Sequence, residues 1–183
     1  MTMFSIETGR FRLRDFTASD YHHYLNQCQD PKYQRFYSEE DCAPAKCRQL
    51  VELFIEQAQQ SPRQHYHLAI EDRQSGEYLG IAGLRLEGEG QASVGCGLMR
   101  QHQSHGASEE AMQALLTFGF KQLNVHRAYA ETISENRAAI RLCLRMGMRK
   151  EAELIENRYF KQKWWNTTIL AIRYEEFIAQ QSR

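Results

Sequence analysis

Of the 183 residues, three are proline and five are cysteine, and the charges cancel, with 23 Lys plus Arg against 23 Asp plus Glu. Without a basic excess, general nucleic-acid binding and a polybasic membrane anchor are excluded. No run of about 18 apolar residues occurs, so no membrane-spanning helix and no membrane partner are expected. The cysteines (Cys28, Cys42, Cys47, Cys96, Cys143) are odd in number and contain no CxxC pair. That usage excludes a disulfide framework and fits thiols serving as small hydrophobes in a reducing compartment. The opening MTMFSIETGRFRLRDF carries charge from Glu7 and Arg10 onward. It holds no apolar stretch of signal-peptide length, so a cytoplasmic location is expected. GxGxxG and Gly-Lys-Ser/Thr are both missing, which removes the usual dinucleotide and P-loop signatures.

What is present is a 42% apolar chain, enough for a real core and too much for a disordered one. No repeat, low-complexity block or Pro/Gly/Ser linker interrupts it, so residues 1–183 read as one domain.

Arg10–Arg14 alternates apolar and charged residues, as a half-buried strand does. Thr17 with Asp20 three residues on is close to a capping box and predicts a helix to about Asn26, ended by Pro31. Pro44 sits just inside a second helix running to about Gln60. Strands follow at His65–Glu71, Tyr78–Leu86 and Ala92–Met99, joined by Gln74-Ser75-Gly76 and Glu87-Gly88-Glu89-Gly90, which makes an antiparallel meander. Ser108–Leu123 has the broad apolar face of a long helix. Arg127–Thr132 is a short strand, and Asn136–Met146 is a helix stopped by Gly147. Strands near Arg149–Glu156 and Trp164–Tyr174 complete a mixed α/β fold around one sheet.

The junction Val94–Glu110 carries the most chemistry. A strand runs into a loop with Gly106, and a long helix begins there. The first N–H groups of a helix have no partner within it, and its dipole adds roughly half a positive charge, so the turn can hold a pyrophosphate. Gly106 lets a phosphate approach the backbone, and Ser104 and Ser108 offer hydroxyls. Glu109 and Glu110 fit the first turn but would repel an anion if aimed at it. A plain strand-to-helix connection with a turn glycine explains the same spacing.

At this loop the chain resembles the GNAT superfamily of N-acetyltransferases. Gln103-Ser104-His105-Gly106-Ala107-Ser108 is similar to its Gln/Arg-x-x-Gly-x-Gly/Ala loop, with Ser at the last position. Asn136-Arg137-Ala138-Ala139 and Arg145-Met146-Gly147-Met148 are similar to its second anchor. ETGRFRLRDFTASD and Trp164-Trp165-Asn166 resemble the ribosomal-protein-alanine acetyltransferase (RimJ/RimL-like) branch. The resemblance implies a single domain with a central, mostly antiparallel, splayed sheet flanked by helices. It implies acetyl-CoA as co-substrate, no metal, and direct attack by a primary amine of a protein N-terminus or a small molecule. A homodimer is left open.

The resemblance also assigns roles. Gln103, Ser104, His105, Gly106, Ala107 and Ser108 would hold the pyrophosphate. Cys96, Gly97 and Leu98 would pair with the pantetheine arm and polarise the thioester through a backbone N–H, and Asn136 would bond the arm. The strand carboxylate of many relatives is Ser93 here, so Glu131 becomes the candidate base. A solvent-facing strand carboxylate is the plainer reading of Glu131. The usual Tyr proton donor is Cys143, which packing alone would also explain. An α-amine of pKa ~7.8 is about a tenth neutral at pH 7, whereas a lysine at ~10.4 is almost wholly charged. A site poor in bases therefore suits an α-amine.

Weaker features remain. His65-x-His67 puts two imidazoles on one strand face, without further ligands at zinc spacing. Tyr33, Phe36 and Tyr37 are either a lid over the core or a wall of the acceptor pocket. Trp164 and Trp165 face opposite sides of a strand. Glu39-Glu40-Asp41 would favour a cationic acceptor if it lined the site. A non-catalytic acyl-CoA-binding module and a structural α/β domain are the competing readings.

Overall fold

The computed structural model describes residues 2–103 and 105–183. Its eight strands are β1 (Ser5–Glu7), β2 (Phe11–Asp15), β3 (His65–Asp72), β4 (Tyr78–Leu86), β5 (Gln91–Leu98), β6 (Arg127–Ile133), β7 (Arg149–Phe160) and β8 (Lys163–Arg173). Its helices are α1 (Tyr21–Gln29), α2 (Pro31–Gln34), α3 (Pro44–Ala58), α4 (Ala107–Gln122), α5 (Arg137–Arg145) and α6 (Tyr174–Gln181). The strands form one sheet in the order β1-β2-β3-β4-β5-β6-β8-β7. Every pairing is antiparallel except β5 with β6. The mixed, mostly antiparallel sheet flanked by helices is the expected architecture.

The parallel pair is short. Gln91, Ala92 and Ser93 match Arg127, Ala128 and Tyr129, and no pairing follows. Yet β5 continues to Leu98 and β6 to Ile133, so the two strands part in the middle of the sheet. From Val94 onward, the β5 backbone groups on that side have no strand partner among the described residues.

Two cores cover the faces. α4 buries Ala111, Met112, Leu115 and Leu116 against Leu84, Val94, Ala128 and Leu170 of the sheet. Truncating one such leucine to alanine typically costs about 2–5 kcal/mol. On the other face α1 and α3 pack Tyr24, Cys28, Cys47, Val51 and Phe54 against Phe16, Ala69 and Tyr78. Among the described residues no helix is long and apolar enough to cross a membrane.

Four local features depart from the sequence reading. β1 is only three residues long, too short to show a period. Pro31 opens α2 where a stop was expected, because the Asp30 carboxylate accepts the Lys32 and Tyr33 N–H groups (2.9 and 3.1 Å) and caps it. The chain turns into α6 at Tyr174, where the Glu176 carboxylate accepts the Arg173 N–H (2.7 Å) and Phe177 stacks near Phe120 at 4.9 Å. β7 also runs on to Phe160, past an irregularity between Leu154 and Arg158.

The capping pair ahead of α1 is deeply tied. Asp20, 2% exposed, accepts from Thr17 N (2.8 Å) and from both terminal nitrogens of Arg14 (2.8 and 3.0 Å). Arg14 Nε also reaches Glu71 at 2.5 Å. Burial opposes the charged form of Asp20, but Arg14 and the Thr17 N–H outweigh it and hold the carboxyl below its ordinary value. A depressed carboxyl stabilises the fold above its unfolded pKa, and that share is lost as pH falls through the folded pKa. Asp20→Asn is expected to cost about 3 kcal/mol at pH 7. Its urea-unfolding stability should also fall less steeply than wild type between pH 5 and 3, an interval set by the ordinary carboxyl range of about 4.

Candidate active site

The parting of β5 from β6 opens a cleft of about 850 Å³. Its walls come from β5 and the turn after it, the start of α4, one side of α5, and the α1–α2 segment. Cys96, Gly97, Leu98, Gln103, His105, Gly106, Ala107, Ser108 and Asn136 all line it. The structure thus brings together the residues expected at a coenzyme site, apart from Ser104, which lies outside the described residues.

The α4 entrance is shaped for an anion. His105 (φ 60°) and Gly106 (φ 71°) are consecutive left-handed residues, a backbone turn that gathers N–H groups into a concavity. The first intrahelical bond from this turn is Glu110 N to Gly106 O (3.0 Å). The preceding N–H groups of Ala107, Ser108 and Glu109 therefore have no acceptor within the helix. A Cβ built on Gly106 would meet only Arg10 Nη2, at 4.0 Å, so the space before it is open. The two acids of the first turn are neutralised. Glu110 accepts from the Thr8 hydroxyl (2.7 Å), Arg10 N (2.9 Å) and Arg10 Nε (2.6 Å), and Glu109 pairs with Arg145 at 2.7 Å.

At the other end of the exposed edge the backbone is clamped. Gln27, 1% exposed, donates from Nε2 to the Gly97 carbonyl (2.8 Å) and accepts from the Tyr78 hydroxyl (2.9 Å). Gln103 donates from Nε2 to the Leu98 carbonyl (2.9 Å). Gly80 of β4 lies so close that a Cβ there would collide with Gly97 O and come within 2.7 Å of Leu98 Cα. The ring of Tyr33 lies 3.6 Å from the position a Gly97 Cβ would take and stacks on Tyr37 at 4.9 Å. Burial holds the Tyr33 phenol well above its ordinary pKa. Asn136 caps α5, its Oδ1 accepting Ala139 N at 3.3 Å.

The catalytic candidates lie elsewhere. Glu131 is exposed on β6 opposite Ile169 and is not part of the cleft lining. By strand alternation it shares a face with Tyr129, while Ala128 and Ala130 pack into the core under α4. Cys143, 4% exposed, is packed in that same core behind the cleft wall. Burial pushes its thiol up to about 11 and that of Cys96 to about 12. A thiol that weakly acidic is poorly matched to a coenzyme thiolate.

Of the weaker features, Tyr33, Phe36 and Tyr37 line the cleft. Trp165 is buried with Ile133 and Phe160, and Trp164 is exposed. His67 stacks on Phe54 at 4.3 Å, and burial holds its pKa down to about 4. Glu39, Glu40 and Asp41 do not line the cleft.

Sequence reasoning missed the cations of the cleft: Lys32, Arg35, Arg100, Arg141 and Arg145. Part of the signal was readable, because Arg137, Arg141 and Arg145 recur every four residues and form a basic row on α5. Gln27 carried none, being one polar residue in a polar helix. Replacing Gln27 by Leu leaves the Gly97 carbonyl and the Tyr78 hydroxyl unpaired in a buried site. A loss of about 2 kcal/mol in urea unfolding is expected, with a smaller loss for Tyr78→Phe.

Known proteins resemble this chain in sequence and in fold. A family profile for the acetyltransferase (GNAT) domain matches residues 10–149. The N-acetyltransferase YnaD of Bacillus subtilis is 33% identical over 96 residues, 49% of this chain and 53% of that protein. YoaA of the same organism is 25% identical over 170 residues, 91% of this chain and 95% of its own. The ribosomal L7/L12 alpha-N-protein acetyltransferase RimL, solved with coenzyme A, has the same fold at TM-score 0.81 and 16% identity, over 93% of this chain and 98% of RimL. The spermidine N-acetyltransferase of Vibrio cholerae, solved with CoA and spermine, superposes at TM-score 0.79 and 18% identity, over 93% and 99%. With the profile spanning most of the chain and the parted strands, loop and cleft in the places described, the protein belongs to the GNAT acetyltransferase family and is an acyltransferase.

Proposed function

We propose that the chain transfers the acetyl group of acetyl-CoA to a primary amine, a protein N-terminal α-amine or a small-molecule amine, by direct attack. The observation that carries this reading is the continuity of the cleft. One unpartnered strand edge runs from Val94 to Leu98 into the left-handed turn at His105–Gly106. An amide-bearing arm can add to such an edge as a further strand would. The α4 N-terminus then takes the pyrophosphate, with Arg100 and Arg141 supplying countercharge. Asn136 has its Oδ1 committed to the helix cap, which leaves its amide nitrogen as the donor toward the arm. Backbone N–H groups near Gly97 and Leu98 polarise the thioester carbonyl. The Gln27 and Gly80 contacts keep that stretch in place.

Proton handling falls to fewer groups than usual. In this reading Glu131 accepts the amine proton through solvent and water reprotonates the departing thiolate, since Cys143, the other candidate, is buried behind the cleft wall. Their positions outside the cleft lining weigh against direct contact. An α-amine, partly neutral at pH 7, needs the least help.

Thermal unfolding with and without acetyl-CoA tests the binding half. A ligand held at 100 times its Kd stabilises the native state by about 2.7 kcal/mol. A clear rise in Tm is expected for wild type and none for Gly106→Glu, which puts a carboxylate at the turn. No shift in wild type would overturn the acetyl-CoA reading. Thiol release with an amine panel tests the transfer, and binding without turnover would refute it. A drop of at least tenfold in kcat for Glu131→Gln is expected if this carboxylate is the base, and unchanged kinetics would remove it from that role.

A further inference from the structure

The arginines divide by whether they have an acid. Those of β2, Arg12 and Arg14, are bound to carboxylates, as are Arg127 and Arg149 beyond the parting of the sheet. Arg35, Arg100, Arg137 and Arg141 have no ion-pair partner among the described residues. Each lines the cleft or a chamber that opens from it. Arg48, Arg158 and Arg183 also lack an acid among the described residues but line neither cavity; Arg48 and Arg158 lie over the rings of Tyr21 and Phe160, as Arg35 does over Phe36.

The chamber, about 580 Å³, is bounded by Arg35, Phe36, Ser134, Glu135, Arg137 and the Asn136 to Ala138 backbone turn. It shares Arg35, Phe36, Asn136 and Ala138 with the cleft. Its acid and its hydroxyl are committed, which leaves the two guanidiniums and the Asn136 amide nitrogen as donors. Glu135 is neutralised by Lys163 at 2.6 Å, and the Ser134 hydroxyl is bonded to that of Thr168 at 2.7 Å. Arg137 stands at the first turn of α5, one turn before Arg141, and Arg35 reaches the chamber from the end of α2. With Glu135 paired, this end of the cleft carries the unpaired charge of Arg35 and Arg137. The acidic run Glu39-Glu40-Asp41 reaches neither cavity.

Resting on the acetyl-transfer reading above, we propose that the acceptor is an amine that also carries an anionic group, a carboxylate or a phosphate, and that Arg35 and Arg137 select it. A guanidinium meets either anion through paired N–H donors and stays charged at all working pH. A polyamine, with cationic nitrogens along its length, meets like charge on this side of the cleft and is rejected. The required anion can belong to a small amino acid or to an acidic side chain that follows a peptide N-terminus.

The test measures binding to the protein saturated with CoA. The probes are a hexapeptide with a free N-terminal alanine, two following glutamates and a neutral C-terminal dye, and its counterpart with two lysines. The glutamate peptide is expected to bind at least tenfold more tightly, with the gap closing in 0.5 M salt as charges are screened. Arg35→Gln and Arg137→Gln should each weaken it about tenfold, the size of one lost charge-assisted contact. The double variant should show no preference, and Arg35→Glu should reverse it. Both side chains are exposed, so the CoA-induced rise in Tm should survive and report intact folding. Displacement by millimolar glutamate or O-phosphoserine assigns a small acceptor, and peptide binding that resists both assigns a peptide. Equal binding of the two peptides, tighter binding of the lysine peptide, displacement by spermidine, or no binding of any acidic probe overturns the proposal while leaving acetyl-CoA binding standing. A wild-type protein that shows no CoA shift instead refutes the underlying reading, and this inference with it.

Discussion

The structure depends on how briefly β5 and β6 stay paired. Three residues of parallel ladder join them, and then both continue without each other. A sheet interior normally satisfies every backbone group on both sides of a strand. Here β6 keeps its full ladder with β8 and β5 keeps its ladder with β4, so the unsatisfied groups fall on the facing edges. Such groups are costly unless water or a ligand meets them. The cleft is the space that lets one do so. The Gly80 contact and the Gln27 clamp act on the same few residues of β5, so the open edge is held in one conformation and is not free to close.

Charge is divided with equal economy. The carboxylates nearest the anion-binding turn are bound into structure: Glu110 ties α4 to the β1–β2 turn, and Glu109 ties it to α5. The same contacts brace the helix whose N-terminus faces the cleft. A chain of zero formal net charge thus presents a locally cationic cleft, because Glu109 of its lining is paired and Asp30 caps α2, while Arg35, Arg100 and Arg141 have no acid among the described residues. Composition could not show this, since a sum over the chain hides a separation in space.

Much of the fold was readable. Helices α3, α4 and α5 and strands β3, β4 and β5 fall within a residue or two of where apolar period, Pro44, Gly106 and Gly147 put them. The Thr17–Asp20 pair does cap the start of the first helical segment. The misses were short or decided by contacts far away. α2 forms because a single Asp30 side chain caps it. α6 forms on a ring-to-ring contact between Phe177 and Phe120, distant in sequence. The turn before α4 was legible because it rests on backbone geometry, which local residue types such as Gly106 announce. Glu131 and Cys143 were placed by alignment to a motif, and a motif says nothing of which way a side chain faces or how deeply it is buried.

The sequence by itself determined the element order, the single mixed sheet and the glycine turn before α4, because periodicity, caps and glycine act within a few residues of chain. Only the tertiary structure decided that Gln27 would clamp Gly97, that Glu109 would pair with Arg145 and Glu110 with Arg10, and that Arg35 and Arg137 would share one chamber. Those are meetings between segments far apart along the chain. They follow from where the two cores bring the helices and where the sheet parts, and no local pattern encodes them.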